Sequence, residues 1–205
     1  MTDTPLGFIG PIGFIGLGVM GGPMSRNVVR KHAGKVHAFD MSEAALQETV
    51  DAGALAAASV AEVARNAEVI FLSLPGGKQV AAVAADVTAN ARPGTIVVDM
   101  STTGVADARQ VAASLAEAGM LFADAPVART RQAAQDGTLS ITVGASDELF
   151  ARIAPLLGYM GSDVTHCGEV GCGQVVKLIN NALVFENTVA LAEMIGGVVD
   201  SHTSL

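Results

Sequence analysis

GFIGLGVMGGPM, residues 13–24, runs from an apolar strand through a glycine turn into a helix. Gly16, Gly18 and Gly21 have the G-x-G-x-x-G spacing of dinucleotide-binding turns. The first glycine permits the tight turn, the second lets a pyrophosphate approach the backbone, and the third lets helix and strand pack closely. The helix N-terminus offers free N–H groups and a partial positive charge. The stretch therefore predicts a Rossmann-type dinucleotide site.

The following strand, residues 36–39, leads to Asp40, nineteen residues after Gly21. Rossmann units place at this distance the acid that accepts hydrogen bonds from the adenosine ribose. The alternative is that Asp40 is an N-cap or turn residue before the helix that starts near Ser42. No Lys or Arg follows in the next three residues to hold a 2′-phosphate. The sequence therefore favours NAD over NADP.

Composition limits the class of protein. The 205 residues suffice for one good-sized domain and part of another, and a net charge of −8 argues against nucleic acid or an anionic membrane surface as partner. Cys167 and Cys172 lack zinc-site spacing, so we interpret them as reduced thiols of a cytoplasmic protein, with no metal. Residues 4–25 are uncharged, but their seven glycines and three prolines predict neither a signal peptide nor a membrane span.

Short apolar runs alternate with alanine-rich helical stretches. We predict strands at 12–15, 36–39, 54–57, 68–74, 95–99 and 121–125, and helices at 20–31, 42–52, 60–66, 78–85 and 105–118. Such alternation is typical of an α/β fold with a doubly wound, mostly parallel sheet. Residues 7–10 repeat residues 13–16, and only the second copy continues into the glycine motif. The first copy is therefore interpreted as an N-terminal extension.

Three predicted strands leave the sheet through polar or glycine-rich turns. These turns contain Leu74 and Pro75, then Ser101 and Thr102, and then the loop 126–130. Each alone is typical of an ordinary βα loop, with a serine or aspartate as helix cap. Because ligands bind at the carboxyl ends of parallel strands, the three together predict a rim for cofactor and substrate.

A long helix is predicted from Gln174 to Ile195, and its nearly continuous apolar composition predicts deep burial. Lys177, Asn180 and Asn181 share one face of it, because they lie three and four residues apart. Either these polar side chains are functional, or the lysine snorkels while the asparagines bond to backbone.

Four motifs in order resemble the β-hydroxyacid dehydrogenase family: GFIGLGVMGGPM, the Leu74–Pro75 loop, DMST at 99–102 with DAPV at 124–127, and GxGxxxKxxNN at 171–181. The resemblance implies NAD contacts from Val19, Met20, Asp40, Leu74, Pro75 and Thr102. It also implies that Ser101 and the loop 126–130, with Arg129 and Thr130, contact substrate.

The resemblance further implies that Lys177 is the general acid/base of an NAD-dependent oxidoreductase. Such an enzyme interconverts a small anionic hydroxy acid, or hydroxy sulfonate, and its aldehyde. A protonated Lys177 would stabilise the negative charge that builds on the aldehyde oxygen and donate the proton. Asn180 and Asn181 would contact the substrate or hold the lysine in line. The alternative is a nucleotide-binding domain without turnover.

The chain departs from the family in two places. Many members continue DAPV into Ser-Gly-Gly, whereas Arg129 here is suited to a bidentate grip on an oxyanion. The family's sulfolactaldehyde reductases share Val-x-Arg-Thr at this point, but they carry a serine where this chain has Val184. Carboxylate and sulfonate substrates therefore both remain open.

The second departure is length. Residues 1–170 are expected to form the NAD-binding domain and residues 171–205 a long interdomain helix with its tail. The remainder of an all-helical C-terminal domain is expected to be missing, as in a member truncated at its C-terminus. An uncovered apolar helix would then favour a homodimer or higher oligomer.

Overall fold

The computed structural model describes residues 10–202, with side chains described for residues 10–196. Residues 7–9 of the first glycine repeat and residues 203–205 of the tail lie outside the described residues. The elements in chain order are β1 (Ile12–Ile15), α1 (Gly21–Lys31), β2 (Val36–Phe39), α2 (Glu43–Asp51), β3 (Leu55–Ala56), α3 (Val60–Asn66), β4 (Val69–Leu72), α4 (Gly77–Asn90), β5 (Ile96–Asp99), α5 (Val105–Glu117), β6 (Leu121–Asp124), β7 (Val127–Ala128), α6 (Arg131–Asp136), β8 (Leu139–Gly144), α7 (Asp147–Leu157), β9 (Gly161–Gly168) and α8 (Cys172–His202).

The strands form one nine-stranded sheet in the order β3-β2-β1-β4-β5-β6-β8-β7, with β9 paired to β8. The pairings from β3 to β6 are parallel, while β8 runs antiparallel to β6 and β7. The predicted doubly wound, mostly parallel sheet is therefore confirmed. Its central strands are apolar on both faces because helices cover both.

Alternate residues of one strand enter two separate cores. Phe71 on β4 packs in the core that includes Met24 of α1 and Ile153 of α7. Its neighbours Ile70 and Leu72 pack in the core on the other face, with Val80 of α4 and Leu115 of α5. This two-sided burial agrees with the continuous apolar runs of the sequence.

Five elements between residues 127 and 168 were not predicted. β7 has two residues, and α6 has six. β9 is largely polar and mostly exposed or half-buried, so it lacks an apolar strand pattern. α7 contains Pro155, which normally argues against a helix interior. α4 also extends to Asn90, beyond the predicted residue 85.

Asp124 anchors the start of α8 to the end of β6. Its Oδ1 accepts a hydrogen bond from the N–H of Gly171 at 2.6 Å, and its Oδ2 accepts from the N–H of Gln174 at 2.8 Å. Burial raises the pKa of this carboxyl, and the two hydrogen bonds act in the opposite direction. The side chain thus satisfies N–H groups that have no partner within the helix.

The burial predicted for the long helix is wrong within this chain. Gly173 and Gln174 in the first turn are buried, but Val175 is 39% exposed and Phe185 is 72% exposed. Most of α8 extends away from the rest of the described residues, so its apolar composition finds no cover there. An 18-residue stretch within Cys172–Gly196 has a mean hydropathy of 1.2, so this helix could cross a membrane by length and composition. These criteria do not distinguish a membrane span from a helix covered by protein.

We predict that Asp124→Asn lowers the free energy of unfolding by about 2–3 kcal/mol, because an amide has one acceptor oxygen for two buried N–H groups. Urea unfolding followed by circular dichroism measures the change. Asp136→Asn is the control, because Asp136 is exposed on α6 and bonds only Gln132 among the described side chains. Equal stability of the two variants would contradict the role of Asp124 as an anchor.

Candidate functional site

A cavity of about 1220 Å³ opens at the carboxyl ends of β1, β2, β4 and β5. All the residues predicted to bind the cofactor line it, and so do three of the predicted catalytic or substrate residues. These lining residues are Gly16, Gly18, Val19, Met20, Gly21, Asp40, Leu74, Pro75, Thr102, Ser101, Arg129 and Lys177. Thr130, Asn180 and Asn181 are not among its lining residues. The sheet therefore brings together most of the site that the motifs predicted.

The glycine turn has the shape that its spacing predicts. Gly16 has a φ of 91°, which strains any residue with a side chain. A Cβ at Gly21 would collide with the carbonyl of Gly16, whereas a Cβ at Gly18 would have no atom within 4 Å. α1 has no acidic residue in its first turn and no side-chain cap. The backbone at Gly18 is therefore accessible, and its N–H groups are free to bind a ligand.

Asp40 follows β2 and connects it to the glycine turn. Its Oδ2 accepts a hydrogen bond from the N–H of Leu17, and its Oδ1 accepts from the N–H of Ser42 at 2.7 Å. The cap of α2 is Ser42, whose hydroxyl accepts from Ala45 at 3.4 Å. Ser42 rather than Asp40 therefore caps the helix, but Asp40 does hold the turn before it, which is the other half of the alternative. Asp40 is half-buried and faces the cavity beside Met41, which is 94% exposed.

Ser101 joins the loops that follow β4 and β5. Its hydroxyl accepts a hydrogen bond from the N–H of Leu74 at 2.9 Å, and the residue is only 4% exposed. Thr102, the next residue, is exposed and lines the cavity. The predicted contact residue Ser101 is thus also a fixed part of the cavity floor.

Lys177 lies in the second turn of α8 and is half-buried against the cavity. Burial lowers the pKa of its amine, which makes the neutral form more accessible than in water. Asn180 is exposed and Asn181 half-buried. Within residues 10–196, no hydrogen bond joins Lys177 to either asparagine. The shared helical face is present, but in this structure only the lysine reaches the cavity.

Arg129 lines the cavity with a backbone φ of 86°, an uncommon value for a residue other than glycine. Its guanidinium donates to the carbonyl of Thr138 and to the hydroxyl of Ser162 at 3.2 Å. It also lies 3.8 Å from a carboxylate oxygen of Asp163. The predicted substrate residue Thr130 instead caps α6 by accepting from Ala133 at 3.3 Å.

Asp99 is a buried carboxyl directly beneath the site. Its Oδ1 accepts from the N–H of Ser101 at 2.9 Å, while Oδ2 has no hydrogen-bond partner among the described residues. Burial raises the pKa of Asp99 to about 6, hydrogen bonding to Ser101 acts in the opposite direction, and the charge of Asp124 raises it further. Ionised Asp99 is therefore unfavourable in the folded protein.

Two residues of this region escaped the sequence analysis as functional candidates. Asp124 belongs to the DAPV motif and Gln174 starts the predicted long helix, but no functional role was predicted for either. Gln174 is fully buried and bonds the loop after β5 through both ends of its amide. A buried amide three residues before Lys177, one turn away on the same helix, is the signal that would have identified it.

The comparisons with known proteins agree with this geometry. The profile of a family described as the NAD binding domain of 6-phosphogluconate dehydrogenase matches residues 11–168. The 2-(hydroxymethyl)glutarate dehydrogenase of Eubacterium barkeri is 40% identical over 185 residues, which cover 89% of this chain and 61% of that protein. The chain belongs to the β-hydroxyacid dehydrogenase family.

Solved structures of similar proteins have the same fold. The 3-hydroxyisobutyrate dehydrogenase of Mycobacterium tuberculosis, with L-serine, superposes with a TM-score of 0.85 at 36% identity, covering 91% of this chain and 64% of that one. A structure described as Psf3 in complex with NADP+ and 2-OPP has a TM-score of 0.78 at 32% identity, covering 83% and 61%. The 205-residue chain thus spans about three fifths of the length of these relatives.

We predict that Asp99→Asn raises the free energy of unfolding at neutral pH and that the gain disappears in acid. The pKa of the Asp99 carboxyl is about 6 in the folded protein and about 3.8 in the unfolded chain. Ionised Asp99 therefore destabilises the folded protein at neutral pH by about 3 kcal/mol. The penalty grows as pH rises from about 4 to about 6 and is absent below that range. Urea unfolding at several pH values measures it, and a stability difference that does not vary with pH would contradict it.

Proposed function

We propose that the protein is an NAD-dependent oxidoreductase that interconverts a small anionic hydroxy acid and its aldehyde. The observation that carries the proposal is that Lys177 lines the same cavity as the open glycine turn. A proton-transfer group and a dinucleotide cradle thus face one space, which is what hydride transfer with coupled proton transfer requires. The names of the relatives, dehydrogenases of hydroxy acids, support the same class of substrate.

The cavity wall fits a dinucleotide with an unmodified ribose. Gly18 leaves space for a pyrophosphate beside the uncapped start of α1, and Asp40 offers a carboxylate to ribose hydroxyls. Lys177 and Arg129 are the basic residues among those lining the cavity. Both lie on the side of the sheet beyond β5, because Arg129 follows β7 and α8 packs against β6 and β8. A 2′-phosphate near β2 would therefore meet a carboxylate without a cation, which favours NAD over NADP.

Lys177 has the properties of the proton-transfer group. The nicotinamide ring, when bound, supplies or accepts the hydride. Protonated Lys177 would stabilise the oxyanion that forms on the substrate and then donate its proton to that oxygen. In the oxidation direction, the neutral amine would accept the hydroxyl proton. Burial favours this neutral form by lowering the pKa of the amine.

Arg129 is our candidate for the anionic end of the substrate. In this structure its guanidinium faces Asp163, and both side chains of the pair are about half exposed, at 45% and 54%. Exposed ion pairs contribute little stability, so a carboxylate or sulfonate entering the cavity would compete readily with Asp163. A bidentate contact with such an anion is stronger than the 3.8 Å approach of the aspartate.

The exposed apolar surface of α8 supports the proposal that residues 171–205 form an interdomain helix covered by further polypeptide. A second copy of the chain is the cover that we propose, in a homodimer or higher oligomer. The apolar residues from Ile179 to Ile195, each more than half exposed, are the surface that would be buried in it.

We predict that the chain binds NADH more tightly than NADPH and that Asp40→Asn reduces this preference. The neutral amide repels a 2′-phosphate less and holds the ribose hydroxyls less well. Fluorescence titration with both cofactors measures the two affinities. Asp86→Asn is the control, because it removes the same charge from the α4 side of the same cavity. Equal affinities for both cofactors in the unmodified chain would refute the assignment of NAD.

We predict that the chain oxidises NADH with short anionic semialdehydes and that Lys177→Ala lowers kcat about 10²–10⁴-fold, the range of positioned acid–base groups. NADH affinity should stay within about twofold, because the amine serves the substrate oxygen. Lys35→Ala is the control, since Lys35 is exposed and outside the cavity. NADH binding without turnover on any semialdehyde would favour the alternative, a nucleotide-binding protein.

A further inference from the structure

The side chain of Gln174 is fully buried between α8 and the loop after β5. Its Nε2 donates to the carbonyl of Ser101 at 2.8 Å, and its Oε1 accepts from the N–H of Thr103 at 3.1 Å. The backbone N–H of Gln174 donates to Asp124. Both the side chain and the backbone of this residue are thus held in place.

These bonds connect two walls of the candidate site. The loop 101–103 contributes Ser101 and Thr102 to the cavity, and Ser101 also holds the loop after β4 through Leu74. Gln174 lies three residues before Lys177 and therefore on the same side of α8. The amide of Gln174 is consequently a direct link between the floor of the cavity and the helix turn that carries the lysine.

Lys177 has no side-chain hydrogen bond to the rest of residues 10–196. Beyond the first turn, α8 is exposed on most of its surface, and both Val176 and Leu178, which flank the lysine, are exposed. The position of the amine over the cavity therefore depends on how the first turn is attached. Asp124 attaches the backbone of that turn to β6, and the hydroxyl of Thr142 attaches it to β8 by donating to the carbonyl of Gly173 at 3.1 Å. The side chain of Gln174 attaches it to the cavity floor.

We propose that Gln174 is a positioning residue, which sets the place of the Lys177 amine relative to the loop 101–103. The inference rests on the proposed function, in which Lys177 acts on a substrate held above that loop. Only a neutral amide, or a protonated carboxyl of the same length, offers a donor to Ser101 and an acceptor to Thr103 together. Without this donor and acceptor, the buried carbonyl of Ser101 and the buried N–H of Thr103 lose their partners. The loop 101–103 and the first turn of α8 are then expected to separate.

The test uses the full chain with Gln174→Met, Gln174→Glu and the control Gln132→Met, which changes an exposed glutamine on α6. The first readout is the pKa of Lys177, followed by NMR after reductive ¹³C-methylation of the four lysines, with Lys177→Arg to assign the signal. The second is NAD+ affinity by calorimetry. Gln174→Met should move the lysine pKa up toward its ordinary value, because water reaches the amine, and should weaken NAD+ binding about tenfold. Gln132→Met should change neither.

Gln174→Glu separates positioning from general disruption. When its carboxyl is protonated it reproduces the donor and acceptor of the amide, so NAD+ affinity should recover as the pH is lowered through its titration. Gln174→Met should show no such recovery. If Gln174→Met does not fold, the pH-dependent recovery of Gln174→Glu decides the question by itself.

A folded Gln174→Met with an unchanged lysine pKa would overturn the inference. So would the loss of folding in both variants at every pH, which would make Gln174 a residue of the fold alone. The lysine pKa is measured without cofactor. If the unmodified chain bound no NAD+, the proposed function would fail, while the response of the lysine pKa would still decide the role of Gln174.

Discussion

The carboxylate of Asp124 holds two N–H groups at the start of α8, and the geometry of the candidate site depends on that contact. A helix that is mostly exposed gains its direction only where it is attached. Here the attachment is a buried, charge-assisted pair of hydrogen bonds at the end of a central strand, stronger than neutral hydrogen bonds. Gly173 permits it, because a Cβ there would come within 2.8 Å of Asp124 and 2.6 Å of the carbonyl of Thr142. The Gly-x-Gly spacing before Lys177 thus has a packing reason.

Sequence patterns predicted the first half of the fold well because its signals are local. The glycine turn requires a positive φ at Gly16 and close packing at Gly21, and few other residues meet those demands. Strands β1, β4 and β5 are buried on both faces and therefore appear as continuous apolar runs. β9 lacks such signals because it is largely polar. α7 has them, with Ser146 as its N-cap and buried apolar residues at helical spacing, but it was not predicted, and it contains Pro155. The conformation of β9 depends on its parallel pairing with β8, which periodicity does not reveal.

The candidate site was predicted to the extent that motifs place residues at strand ends. Leu74 and Ser101 meet in one cavity because the carboxyl ends of parallel strands share an edge, and Lys177 joins them because Asp124 attaches the start of α8 to the end of β6. Gln174 was missed as a candidate because its importance lies in two backbone partners far away in sequence. The burial of α8 was wrongly expected for a related reason. An apolar pattern predicts that a helix is covered but does not identify the covering chain.

Asp99 and Asp124 show how this edge of the sheet combines rigidity with instability. The two residues are register partners on β5 and β6, so their carboxyls lie beneath neighbouring loops of the site. Asp124 has a hydrogen bond for each oxygen, whereas Asp99 lacks a partner for Oδ2 among the described residues. Both accept hydrogen bonds from backbone N–H groups of segments that line or support the cavity, but only at Asp124 would a neutral amide accept fewer of them, because Asp124 serves two such groups and Asp99 one. The charge of Asp99 is therefore unfavourable because the carboxyl is buried beside Asp124 with a hydrogen bond to only one oxygen, whereas the two hydrogen bonds of Asp124 partly offset the cost of burying its own charge.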